Sequence, residues 1–114
     1  MWFIFPQFRG LGYSEMSRRF AINSIDEARS YLEHPILGVR LRSICSELLK
    51  SDNSDPNAIF GSPDDLKLRS SMTLFDHVDE ADERIFRKVL KKFFAGREDE
   101  RTVELLEQQH TDSA

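Results

Sequence analysis

Asp64, Lys67 and Ser71 place an anion, a cation and a hydroxyl at i, i+3 and i+7, and on a helix such residues form one line. Leu68, Met72, Leu74, Phe75 and Val78 fall within the same arc. A polar line inside an apolar stripe must be paired or must reach water, because an unpaired buried charge costs several kcal/mol, roughly. Two readings follow. In one, Asp64 and Lys67 form a structural pair that orders the first turn. In the other, the three residues line a cleft: Lys67 contacts an anion, Asp64 orients it or accepts a proton, and Ser71 adds a hydroxyl.

A second group with chemical potential precedes them. Gln7, Arg9, Gly10, Gly12 and Ser14 make a glycine-containing turn that feeds a short helix, Glu15 to Phe20, with Arg18 and Arg19 close by. Backbone N–H groups at such a turn can cradle a phosphate, and Gln7 can donate an amide hydrogen bond. The pattern lacks the third glycine of a dinucleotide fingerprint and the lysine of a P-loop, so a plain turn is the competing reading. His34 stands at a helix junction, where a capping role competes with a ligand contact. The sequence holds no HExxH, no Cys/His cluster, no EF-hand loop and no GxSxG elbow, so no metal or cofactor is expected. Asp64 and Asp65 would point about 100° apart on a helix and do not make a facing carboxylate pair.

The elements that must position these groups are helices. Gly61 ends the preceding segment, Ser62 is a good N-cap, Pro63 suits the first helical position, and a helix should run over 63–78, with Asp65, Arg69, Thr73, Asp76 and His77 on its opposite, polar side. Ser24 and Glu27 form a capping box for a helix to Glu33 that buries Ile25, Ala28 and Leu32. Pro35 can open the next helix, in which Leu37, Leu41, Ile44 and Leu48 recur at helical spacing to Lys50, with Gly38 allowing close packing. Pro56 restarts a short turn that ends at Gly61. Asp79 to Asp82 reads as the acidic start of a helix carrying Ile85, Phe86, Val89, Leu90, Phe93 and Phe94, whose late Lys88, Lys91 and Lys92 suit its own C-terminus, with Gly96 as the stop. Asp99 should cap a last helix, Glu100 to Gln108, burying Val103 and Leu106. Before all of these, Trp2, Phe3, Ile4, Phe5 and Phe8 form an extended apolar segment that has to be covered.

The whole is read as an all-α, mainly helical protein: one small domain over 1–108, five or six helices behind the extended N-terminal segment, and a frayed tail over 109–114. Its 114 residues carry a net charge of −4. That charge is uneven, with seven Lys/Arg against five Asp/Glu in residues 1–50 and nine against fifteen in 51–114. Such a balance argues against nucleic acid as a partner. No stretch has the length of a membrane span, and the one cysteine, Cys45, excludes an internal disulfide; a cytoplasmic setting is the default expectation.

Three blocks carry a resemblance: Trp2-Phe3-Ile4-Phe5-Pro6-Gln7 with Gly10-Leu11-Gly12, His34-Pro35-Ile36-Leu37-Gly38-Val39-Arg40-Leu41, and Ile59 through Phe75. Together the chain resembles the family of unknown function numbered 1810, over roughly residues 1–108. The resemblance implies a mainly helical fold and no established activity. It also implies that the chain lacks a family helix ahead of the Trp2 block, which would leave the apolar segment free to drive self-association. Some family members carry the label calpastatin. That inhibitor is a disordered, repetitive chain, whereas this sequence has strong caps, periodic apolar faces and no repeats. The expectation is therefore a small helical protein that holds a small anionic or nucleotide-like ligand between the 7–14 turn and the 63–78 helix. The alternative is a non-catalytic interaction module with a structural Asp64–Lys67 pair.

Overall fold

Five helices are present among the residues described by the structure, a computed structural model covering 21–55 and 64–113. They are α1 (Ile25–Glu33), α2 (Leu37–Lys50), α3 (Asp64–Val78), α4 (Ile85–Phe94) and α5 (Glu100–Ser113). No strand occurs among the described residues. The apolar segment 2–8, the turn at 9–14, the helix at 15–20, the turn at 56–60, the Ser62 cap and the side chain of Asp64 lie outside the described residues.

Local chemistry starts each helix. The Glu27 N–H donates to Ser24 Oγ at 3.0 Å, and the Glu27 carboxylate accepts from the Asn23 N–H at 2.9 Å, one residue earlier than a standard capping box. The regular span of α2 begins at Leu37, but His34 caps its start and leaves Pro35 in the first turn, as the sequence suggests: His34 Nδ1 accepts from the N–H groups of Ile36 and Leu37, both at 3.1 Å, and its carbonyl accepts from the Gly38 N–H at 3.0 Å. The His34 Nδ1 is thereby committed to a helix end. Asp99 caps α5 as its sequence implies, with Oδ2 accepting from Thr102 N at 3.0 Å and from Thr102 Oγ1 at 2.6 Å. The backbone of α5 stays helical to Ser113, past the expected end at Gln108 and through the residues expected to fray.

Two starts and stops correct the expectation. Asp79–Asp82 does not form the first turn of α4, which begins at Ile85 after Arg84 in the left-handed conformation (φ 53°). Asp79 instead folds back onto α2. At the other end of α4, Ala95 is also left-handed (φ 55°), Gly96 follows at φ 81°, and the Gly96 N–H donates to Leu90 O at 3.0 Å. Nor does the lysine run simply serve its own helix. Lys92 crosses to the end of α2, where its ammonium donates to the carbonyls of Leu48 at 2.7 Å, Leu49 at 3.2 Å and Ser51. An ammonium at a helix C-terminus satisfies orphan carbonyls and complements the dipole together.

α3 lies at the centre, packed by α1, α4 and α5, while α2 packs on α1 and α4. Leu68, Met72, Leu74, Phe75 and Val78 are buried, as are Leu41 and Cys45 of α2 and the broad face of α4. Phe75 sits between Tyr31 and Phe86, with ring centroids 5.4 and 5.6 Å away. Gly38 lets α2 pass close to α1: a Cβ there would lie 2.0 Å from Leu32 O. Burial pushes the Cys45 thiol up to about 12, and its Sγ lies 3.6 Å from Met72 Sδ.

Gly38→Ala should therefore destabilise by about 1–3 kcal/mol, since the obstructing atom is backbone and cannot rotate away; urea unfolding midpoints test it. The thiol gives a pH test. The folded state holds the Cys45 proton more tightly than the unfolded chain does, so this contribution is intact below pH 9.0 and is lost as pH rises towards about 12. Stability should fall across that alkaline window, and less steeply in Cys45→Ala. Equal slopes for the two proteins would contradict the assignment.

Candidate functional site

α3 is enclosed almost all round, and this overturns the expected polar, outward side of the helix. Thr73 is 0% and Asp76 3% exposed. Their partners come from other elements. Thr73 Oγ1 donates to Arg69 O at 2.8 Å and accepts from the Asp99 N–H at 2.9 Å. Arg69 donates from Nε to Arg97 O at 3.1 Å and from Nη2 to Glu98 O at 2.7 Å. His77 Nε2 meets Glu98 Oε1 at 2.9 Å. Residues 69, 73 and 77 thus form an i, i+4, i+8 ladder that grips the α4–α5 connection.

Two buried carboxylates follow. Asp76 accepts from Arg84 Nη2 at Oδ1 and from Arg87 Nε at Oδ2, both at 3.2 Å. Asp79 accepts from Arg42 Nη2 at 2.7 Å and Nη1 at 3.4 Å, and its Oδ1 also takes the Ala81 N–H at 3.2 Å. The Arg42 guanidinium lies 5.3 Å from the Phe86 ring centroid. Paired in this way, a buried carboxylate is satisfied. Arg84 holds Asp76 from a left-handed backbone, which costs a non-glycine residue about 1 kcal/mol, and its Nε is buried with no partner among the described residues.

Of the candidate ligand residues, Gln7, Arg9, Gly10, Gly12 and Ser14 lie outside the described residues, as does the Asp64 side chain. Lys67 is half-buried and engaged with a neighbour. Ser71 is 0% exposed, and its Oγ has no hydrogen-bond partner among the described residues. Lys67 and Ser71 share a face, being four apart on α3. His34 belongs to the α1–α2 junction, through the cap described above. The sequence missed the arginine-clamped carboxylates. Their one advance signal was Arg84 and Arg87 standing within reach of Asp76 across a short connection.

Clefts open at several places among the described residues, one of them, of about 350 Å³, beside Asp76 and Arg87. One of about 200 Å³ is lined by Arg29, Leu32, Arg42 and Asp79. One of about 220 Å³ lies between α1 and α5. A shallower groove of about 500 Å³ runs past Arg69, Arg97 and Val103. Neither Lys67 nor Ser71 lines any of these four. No group of three His, Cys, Asp or Glu residues suited to a metal occurs among the described residues, and no helix there is long and apolar enough to cross a membrane.

A small all-helical protein built around one enclosed helix is thus the class that fold and site define. The chain belongs to the DUF1810 family, described as a protein of unknown function, whose profile matches residues 1–106. It is also similar to a solved structure, that of the conserved hypothetical protein Rv1873 from Mycobacterium tuberculosis. The two share 46% sequence identity and superpose with a TM-score of 0.88, over 93% of this chain and 75% of that one. No curated protein matches.

Breaking the Asp76 clamp tests the reading of this seam as structure. Asp76→Ala should cost about 1–2 kcal/mol, because it removes a buried carboxylate's hydrogen bonds to two arginines that themselves still reach water. Arg87→Gln alone should cost less, since that side chain is 52% exposed. Chemical denaturation of the two variants measures both.

Proposed function

We propose that the protein holds a small anionic, nucleotide-like ligand between the 7–14 turn and α3, with Lys67 and Ser71 as the α3 contacts. One observation carries the reading. Ser71 Oγ is fully buried and lacks a partner among the described residues, on the face that also carries a cation. A buried hydroxyl without a partner costs about 1–3 kcal/mol, and folds tolerate that cost where the group has another use. Lys67 would neutralise the anion, Asp64 would orient it, and the glycines at 10 and 12 would let backbone N–H groups approach.

The second reading rests on Lys67 being engaged within the fold. In that case an Asp64–Lys67 pair is structural and the domain serves as a non-catalytic interaction module.

Ser71→Ala separates the two. On the ligand reading the unliganded variant keeps its stability or gains up to about 1 kcal/mol, because an unsatisfied group is removed. Thermal shifts given to the native chain by nucleoside diphosphates or sugar phosphates should vanish in Ser71→Ala and Lys67→Ala. If none of these compounds moves the native protein and Lys67→Ala loses a few kcal/mol, roughly, the structural reading stands in its place.

A further inference from the structure

The seam between α3 and α4 holds more positive charge than its carboxylate requires. Asp76 takes two guanidiniums, Arg84 at Oδ1 and Arg87 at Oδ2, where one would balance it. Arg87 is the more open of the two, with its side chain 52% exposed. Its Nε donates to Asp76 at 3.2 Å, and it makes no other hydrogen bond among the described residues. A guanidinium has five N–H donors, so those on the two Nη groups of Arg87 remain for another acceptor.

Arg87 lines the cleft of about 350 Å³ together with Asp76, Leu90, Lys91, Gly96 and Glu98. Lys91 stands one turn after Arg87 on α4, and side chains four apart on a helix are neighbours. A Cβ on Gly96 would lie 3.9 Å from Lys91 Cγ, which places the lysine stem against the connection that forms the opposite wall. Lys91 is exposed and has no hydrogen bond or ion pair among the described residues. Both carboxylates at the cleft already have partners: Asp76 has the two arginines, and Glu98 Oε1 has His77 Nε2 at 2.9 Å. The α4 wall therefore carries surplus donors and positive charge, anchored at one end by Asp76. Glu98 on the far wall disfavours a second anionic group, while its Oε2, without a partner among the described residues, can accept from a hydroxyl.

We infer that this cleft takes the phosphate monoester of a small polyhydroxy compound. Its phosphoryl oxygens accept charge-assisted hydrogen bonds from the Arg87 Nη groups and Lys91 Nζ, while Asp76 holds the guanidinium through Nε. Its uncharged, hydroxyl-bearing remainder lies towards Gly96 and Glu98. The site shares no residue with the Lys67–Ser71 face, and it stands or falls independently of the ligand proposed there.

Titration of the full chain with glycerol 3-phosphate, followed by the amide chemical shifts of α4 and of the α4–α5 connection, tests the assignment. The shifts should saturate there, and Arg87→Gln and Lys91→Gln should each weaken binding about tenfold, the loss of one charge-assisted contact. Lys91 is exposed, so Lys91→Gln should keep the fold even if Arg87→Gln loosens the seam. Lys88→Gln removes a cation from the same helix but outside the cleft, and it should leave the affinity nearly unchanged. Lys67→Ala and Ser71→Ala should leave these shifts in place, which separates failure of this site from failure of the other. The assignment is overturned if millimolar glycerol 3-phosphate leaves α4 unshifted, if Lys91→Gln binds it undiminished, or if Ser71→Ala abolishes the α4 shifts. It is equally overturned if Lys88→Gln weakens binding as much as Lys91→Gln, the mark of diffuse attraction to a basic helix.

Discussion

Enclosure of α3 is the constraint from which the rest of the molecule follows. A helix with one covered side can leave its polar residues to water. A helix covered by α1, α4 and α5 cannot, so Thr73, Asp76 and the neighbouring Asp79 must each find partners within the protein. The surrounding elements are arranged to supply them. α4 brings Arg87 and the residue before it, Arg84; α2 brings Arg42; and the α4–α5 connection brings its own backbone to Arg69 and Thr73. Apolar packing brings the helices together, and this polar seam fixes how they sit against one another, because a carboxylate flanked by arginines tolerates little sliding.

The same enclosure separates structural polarity from functional polarity. Asp76, Asp79, Thr73 and Lys92 are polar groups in covered places, and each has its hydrogen bonds met inside the fold. Ser71 is covered to the same degree and its hydroxyl has no partner among the described residues. That contrast within one helix, more than the presence of polar residues as such, directs attention to the Lys67–Ser71 face.

Local signals in the sequence were legible where they were written locally. Ser24 with Glu27, Asp99 and Gly96 announce helix ends by their own chemistry, and the structure uses each of them so. The spacing of Ile85, Phe86, Val89, Leu90 and Phe93 gives the inner face of α4, and the bounds of α3 follow from its pattern. The seam was not legible, because a threonine or aspartate opposite an apolar stripe has the same appearance whether water or an arginine lies beyond it. The partners of Asp79 and Thr73 stand 37 and 26 residues away, and no periodicity links them. Asp79 was misleading for a related reason: an acidic residue ahead of a helix normally serves the helix dipole, and here a guanidinium from α2 claims it first. His34 shows the converse, a residue of open chemical promise whose Nδ1 serves a helix end.

The sequence separations across the seam bear on how the chain reaches its native state. Arg84 and Arg87 are 8 and 11 residues from Asp76, so the α3–α4 hairpin closes a short loop and joins two buried apolar faces at small entropic cost. Lys92 and the end of α2 are 41 to 44 residues apart, a far longer closure. Loop-closure entropy therefore favours the hairpin over the Lys92 clasp, whose closure spans far more chain.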